Sequence, residues 1–222
     1  MTWWCIYSYA YGVNPDGAQW TLSAQGDLPA AVSRVKVECA DDHQGRMVWK
    51  ETKRRDAEAQ SWEVETTANL LWDGYNIVQT LTHSQPHTLT NAFVWGLDIS
   101  GTLQGAGGVG GLLAEVKDGS PYLAAYDANG NVTEYLSADG TLATHYEYSP
   151  FGEIVAQSGD LADSFTHRFS TKPWCAVTGL SEYEFRKYGP GMGRWLSRDP
   201  LEESVGLALY WFAIRLYQIV MS

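Results

Sequence analysis

Basic residues are scarcest through the middle of this chain. Between Asp56 and His167 only Lys117 stands against 15 acids, and the whole sequence sets 15 Lys+Arg against 26 Asp+Glu for a net charge of −11. A surface that follows a phosphate backbone needs the opposite sign, which excludes nucleic acid as a partner. Cysteine is equally sparse: Cys5, Cys39 and Cys175 are odd in number, widely separated and without a C-x-x-C pair. Neither a disulfide framework nor a zinc site is indicated. Charged residues make up 18% of the 222 positions and hydrophobic residues 45%. That balance excludes intrinsic disorder. The apolar stretch 205–220 contains Arg215 and Gln218 and is shorter than the ~20 residues of a membrane-crossing helix, so no membrane span is expected. The opening Met1-Thr2-Trp3-Trp4-Cys5 lacks the positive start and clean apolar run of a secretion signal.

What the chain has instead is 10 Trp, 13 Tyr and 22 Gly. Large rigid aromatics fill sheet faces, and glycine permits the left-handed backbone of tight turns. Turn signals recur at Asp16-Gly17, Asp73-Gly74, Asp118-Gly119, Asn129-Gly130, Asp139-Gly140 and Phe151-Gly152. The last four lie 10 to 12 residues apart, the spacing of short strands joined by hairpins and too short to hold helices between them. After Asp139-Gly140 the chain alternates, with Leu142, Thr144, Tyr146 and Tyr148 on one side and Thr141, Ala143, His145 and Glu147 on the other. This period of two predicts a strand with one packed and one wet face. Seven basic residues between Arg34 and Arg55 read as a solvated hairpin and its loop. Residues 50–60 alone have helical propensity, but with no apolar stripe they read as a polar loop or short exposed helix.

Self-similarity is visible as well. Tyr126-Asp127-Ala128-Asn129-Gly130-Asn131-Val132 is echoed by Tyr148-Ser149-Pro150-Phe151-Gly152-Glu153-Ile154, and more weakly by residues 42–48 and 72–78. Each unit is a strand end, a glycine turn and an aliphatic exit, so stacked copies would build a long sheet in which each repeat buries its neighbour. Other patterns have structural readings. Gly105-Ala106-Gly107-Gly108-Val109-Gly110 matches G-x-G-x-x-G, but Asp118-Gly119 leaves no room for the helix that would hold a pyrophosphate. Close backbone packing or a bent strand explains it. Asp127, Asn129 and Asn131 alternate like calcium ligands, yet the twelfth loop position is Ala138, and turn geometry accounts for all three. His83 and His87 are separated by Pro86, which removes the helix that would align them on a metal. No G-x-S-x-G nucleophile pattern occurs. No cofactor and no metal are expected.

These repeats resemble the tyrosine–aspartate (YD) repeats of Rhs proteins. The resemblance sharpens in residues 93–113, which include Trp95-Gly96, Asp98, Gly101, Gly105, Gly107, Gly108 and Gly110. It continues through His145 to Gly152, which contains Tyr146, Tyr148, Pro150, Phe151 and Gly152, then His167-Arg168-Phe169-Ser170-Thr171-Lys172, then Gly193-Arg194-Trp195-Leu196-Ser197-Arg198-Asp199-Pro200. Together these are similar to the Rhs repeat-associated core, over about residues 41–210. The resemblance implies an all-β chain of successive antiparallel hairpins, part of a hollow shell around a C-terminal polymorphic toxin, with an irregular C-terminal segment. It divides the chain into a poorly defined strand segment at 1–40, a YD-repeat region at 41–160, a core C-terminal segment at 161–203 and a divergent tail at 204–222. The implied partners are the remainder of the shell and its toxin, and the implied location is secreted or cell-surface.

The family also implies chemistry. In many relatives two aspartates in D-P-x-G motifs, about 18 residues apart, form an autoproteolytic dyad in which like charges share one proton. Asp199-Pro200-Leu201-Glu202 fits the first motif with Glu202 in place of Gly, and the partner position falls on Met221. The resemblance therefore implies a degenerate or C-terminally truncated member, in which Asp199 is only a vestigial protease aspartate. A non-enzymatic shell fragment is the expected function, with packing carried by Trp95, Tyr126, Tyr146, Tyr148, Phe151, Phe169 and Trp195. Two alternatives stand beside it: an aspartyl autoprotease completed by Glu202 or Glu203, and a surface module whose exposed aromatics stack on sugars.

Overall fold

The structure is a computed structural model that describes residues 6–13, 20–22, 34–56, 61–84 and 86–197. Two compact units divide the chain, Met1–Phe93 and Val94–Ser222, and the boundary falls inside the 41–160 segment that the repeat pattern groups together. No α-helix occurs among the described residues.

Strands β1 (Ile6–Val13), β2 (Trp20–Leu22), β3 (Arg34–Asp41), β4 (Met47–Arg55), β5 (Trp62–Asp73), β6 (Asn76–Ser84) and β7 (His87–Trp95) belong to the first unit, except for the last two residues of β7. They pair antiparallel in the order β7-β6-β5-β4-β3-β1-β2. Residues 50–55, expected as loop or short helix, are instead the second half of β4. The charges there explain the difference. Lys53 Nζ lies 2.6 Å from Glu38 and 2.7 Å from Glu51, and Lys36 lies 2.5 Å from the same Glu38. Opposite charges across a strand pair support a ladder without any apolar stripe. These ammonium groups also hold the Glu38 carboxyl below its usual range, with Lys36 contributing most. The basic run thus forms a hairpin, as its sequence predicts, but a paired one.

The second unit opens with a glycine loop at 96–111 and continues as a meander of β8 (Leu112–Lys117), β9 (Ser120–Tyr126), β10 (Val132–Ser137), β11 (Leu142–Tyr148) and β12 (Ile154–Ser158). An irregular strap at 159–173 follows. It leads into a small four-stranded sheet of β13 (Trp174–Cys175), β14 (Leu180–Glu182), β15 (Lys187–Gly189) and β16 (Arg194–Trp195).

One hairpin turn recurs. At Asp42, Asp127, Ser137 and Ser149 the first residue donates its N–H to the carbonyl four positions on, and its own carbonyl accepts from the glycine three positions on. Those glycines, Gly45, Gly130, Gly140 and Gly152, all have φ between 75 and 85°, the left-handed region that costs other residues about 1–2 kcal/mol. An oxygen on the first side chain completes the turn at three of them. Asp42 Oδ1 accepts from the N–H groups of Gln44 and Arg46, Asp127 Oδ1 from Asn129 and Asn131, and Ser149 Oγ from Glu153. Asp118-Gly119 is a tighter variant: Lys117 pairs with Ser120 across two residues that both have positive φ.

Tyrosine supplies the other half of the repeat. Tyr126 and Tyr148 end β9 and β11, and their hydroxyls donate to the carbonyls of Leu112 and Val132, the first residues of the neighbouring strands. Each repeat therefore ties a strand end to the adjacent strand start through a half-buried phenol, and the next residue begins the turn.

Candidate functional site

The second unit's meander buries one face under the strap. Tyr135 is fully buried, stacks on Phe165 with centroids 3.9 Å apart, and donates its hydroxyl to the His167 carbonyl at 2.9 Å. Tyr146, also fully buried, donates to the Ala162 carbonyl at 2.5 Å. Burial pushes the hydroxyl pKa values of Tyr135, Tyr146 and Tyr148 up, so these groups stay protonated and act as donors. On β11 the expected alternation holds at Thr144, Tyr146 and Tyr148, but Leu142 is 52% exposed, beyond the reach of the strap.

Charged groups fasten the strap at three points. Glu115 on β8, which is completely buried, accepts the N–H and hydroxyl of Thr166 and lies 3.1 Å from Lys117 Nζ. That ammonium also donates to the Ser164 carbonyl. Burial is the largest influence on Glu115 and raises its pKa, although Lys117 and Thr166 oppose it. Arg168, 3% exposed, donates to the carbonyls of Ala162 and Phe165 and lies over the Tyr146 and Trp174 rings, 4.8 and 5.8 Å from their centroids. Lys172 joins the Gly107 carbonyl to the Glu184 carboxylate.

The glycine loop meets the strap's far end. Asp98, 5% exposed, accepts through Oδ1 from Ser100 and through Oδ2 from the N–H groups of Ala106 and Gly108. Burial would raise its pKa, but these donors outweigh it and hold the carboxyl below the ordinary value. Thr171 closes the joint: its hydroxyl donates to the Gly130 carbonyl and accepts from the Gly110 N–H. Asn131 Oδ1 accepts from the Ser170 N–H, and the Arg168 carbonyl accepts from Val132. Side chains would collide here. A Cβ on Gly130 would come within 2.6 Å of Val109, and one on Gly110 within 2.8 Å of Ile99. Gly105 and Gly107 shape the same loop, Gly101 turns it, and Gly96 donates to the Gly111 carbonyl beneath Leu113. No phosphate-binding helix follows, because β8 begins at Leu112.

The structure brings most of the motif residues together as packing. Trp95 meets His167 edge-on at 5.3 Å. His167 is buried, and that burial, assisted by Lys172, lowers its pKa to about 3. Phe169 contacts Tyr148 and Tyr188, and Trp195 packs edge-on against Tyr183 and Tyr188. The Phe169 ring also fills the space a Cβ on Gly152 would need. Pro150 and Arg194 are exposed, and Phe151 is 51% exposed although its ring lies against Gly193. Arg198, Asp199 and Pro200 lie outside the described residues, as do Glu202 and Glu203. Sequence reasoning missed Glu115, Tyr135 and Thr166, and named Asn131 as a turn residue and Thr171 in a motif without the contacts they make here. Tyr135 was hidden by a bulge in β10, which buries Val132 and Tyr135 three residues apart where strict alternation would select Glu134, and Glu115 and Thr166 meet only through the fold.

Three comparisons bear on this arrangement. The RHS Repeat family model matches residues 126–160, which span Tyr126, Tyr148 and the three glycine turns at Gly130, Gly140 and Gly152. Toxin subunit YenC2 of Yersinia entomophaga is 40% identical over 78 residues, 34% of this chain and 8% of that protein. Salivary gland surface protein 1 of Aedes aegypti is 28% identical over 94 residues, 42% of this chain and 3% of that protein. The TcdB2–TccC3 crystal structure superposes on 91% of this chain with a TM-score of 0.61 and 22% identity, using 10% of its own length. This chain thus corresponds to a small part of each of these far longer proteins. The chain carries an RHS repeat at residues 126–160, is similar to Yersinia entomophaga toxin subunits over about a third of its length, and shares its all-β fold with the TcdB2–TccC3 structure.

Proposed function

We propose that this chain is wall and closing segment of an Rhs β shell, that it performs no reaction itself, and that its parent protein encloses or presents a C-terminal toxin. The observation that carries this reading is the strap. The buried charged groups, Glu115 on β8 and Arg168 and Lys172 in the strap, use hydrogen bonds to fix strap and loop backbone, which is what a rigid wall requires. Asp98, an acid in a glycine loop, is likewise saturated by loop donors. The repeat region 41–160 and core segment 161–203 would then be successive parts of one wall. An autoprotease would need Asp199 and a second carboxylate, a reading that rests on sequence alone.

The test is a graft. Residues 94–197 replace the matching stretch of a Yen toxin subunit, and the chimera is exposed to an added protease. The C-terminal region should be digested no faster in the chimera than in the unaltered subunit treated in parallel. A chimera that folds but leaves that region as sensitive as the isolated peptide would refute the reading.

A further inference from the structure

Within the second unit, β12 has β11 on one side and no strand on the other among the described residues. An open edge of this kind presents unpaired N–H and C=O groups, and proteins usually guard it with charge or proline inside the strand. β12, Ile154-Val155-Ala156-Gln157-Ser158, contains neither, and every residue of it except Ile154 is exposed. Beside the strand runs an open groove of about 400 Å³, lined also by Asp163, Arg168, Trp174 and Ala176.

Carboxylates surround this edge. Glu153 and Asp160 flank the strand at its two ends, Asp163 lines the groove, and all three are exposed. Asp163 Oδ1 accepts from Gln157 Nε2 at 2.8 Å, a neutral donor that leaves the negative charge in place. No cation pairs with any of the three among the described residues. Arg168 is 3% exposed, and its guanidinium is taken up by the carbonyls of Ala162 and Phe165 and the faces of Tyr146 and Trp174. The charge that this edge shows to solvent is therefore negative. Two copies pairing edge to edge would bring like charges together at both strand ends, which opposes a second copy as the occupant.

We propose that β12 is the docking edge for an extended basic peptide, which adds as a further strand, sets Lys or Arg side chains against Glu153, Asp160 and Asp163, and lays an apolar side chain in the groove against Trp174. Main-chain pairing supplies affinity that is indifferent to sequence, and the carboxylates select positive charge. The same acids that discourage self-pairing thus attract a partner of opposite sign. This inference concerns a partner of the chain and does not depend on the shell reading.

The 222-residue chain is titrated with a fluorescein-labelled eight-residue peptide that has Lys at both ends and alternating Val and Thr between them, and in parallel with the same peptide ending in Glu. The Lys peptide should raise the anisotropy to saturation, and the Glu peptide should bind about tenfold or more weakly. N-methylation of two consecutive central residues obstructs both edges of the Lys peptide without altering its charge, and should weaken it by about the same factor. Asp163→Asn keeps the oxygen that accepts from Gln157 and removes the charge. That chain should bind the Lys peptide severalfold more weakly while its melting curve stays unchanged. No saturable binding of the Lys peptide, equal binding of the Lys and Glu peptides, indifference to N-methylation or to Asp163→Asn, or a dimer formed through β12 without peptide would each overturn the proposal.

Discussion

Gly152 and Gly140 occupy the same position in two copies of one turn, with φ of 84 and 85°, but they differ in what surrounds them. A Cβ at Gly140 meets nothing within 4 Å, whereas one at Gly152 would lie 2.4 Å from the Phe169 ring. Gly140→Ala should therefore carry only the left-handed strain, about 1 kcal/mol. Gly152→Ala adds overpacking of a buried aromatic, for about 2–4 kcal/mol in total. Urea denaturation of the two variants measures the difference, and equal losses would show that Phe169 does not close over the turn. A Ser followed three residues on by Gly, Ser137 to Gly140 and Ser149 to Gly152, marks both turns in sequence; which glycine also bears a tertiary contact does not show there, because Phe169 comes from 17 residues further on.

Two titrating groups act at the strap, His167 within it and Glu115 on β8 against it, and their effects run in opposite directions. His167 has a folded value of about 3 against an ordinary 6.5. Protonation therefore favours the unfolded chain, and the stability His167 contributes is present above pH 6.5 and lost as pH falls toward 3. Full burial makes this contribution on the order of 3–5 kcal/mol. Glu115 is raised instead, so its contribution is present below its ordinary value of 4.5 and lost as pH rises through the folded value. Stability measured against pH should show both. His167→Gln should flatten the decline between pH 6.5 and 3, and Glu115→Gln should gain relative to the parent as pH rises above 4.5. A Glu115→Gln chain that instead loses ground with rising pH would mean that the Lys117 pair dominates over burial. The strap was the least legible element. Its residues, His167 to Lys172, stand out as a motif, but its path over β8 to β11 depends on partners more than thirty residues away, such as Tyr135 and Glu115.

For the molecule as a whole, net charge and open edges matter together. At neutral pH the chain carries −11, and self-repulsion keeps exposed edges such as β12 apart. Near the isoelectric point of about 4.8 that protection vanishes. Light scattering should show association rising as pH approaches that value and falling again on either side; scattering unchanged across the range would show that these edges are already covered. The all-β class, the hairpin spacing and the Tyr-Asp-Gly turns were set by sequence alone, because strand alternation and left-handed glycine are local properties that need no distant partner. Residues 50–55 show the limit of local reading: taken singly they favour helix, and only pairing of Lys53 with Glu38 on the adjacent strand makes them β. Burial of Glu115 and Arg168 and saturation of Asp98 were likewise decided by tertiary structure. Desolvation and long-range hydrogen bonds exist only once the chain has folded back across its own sheet.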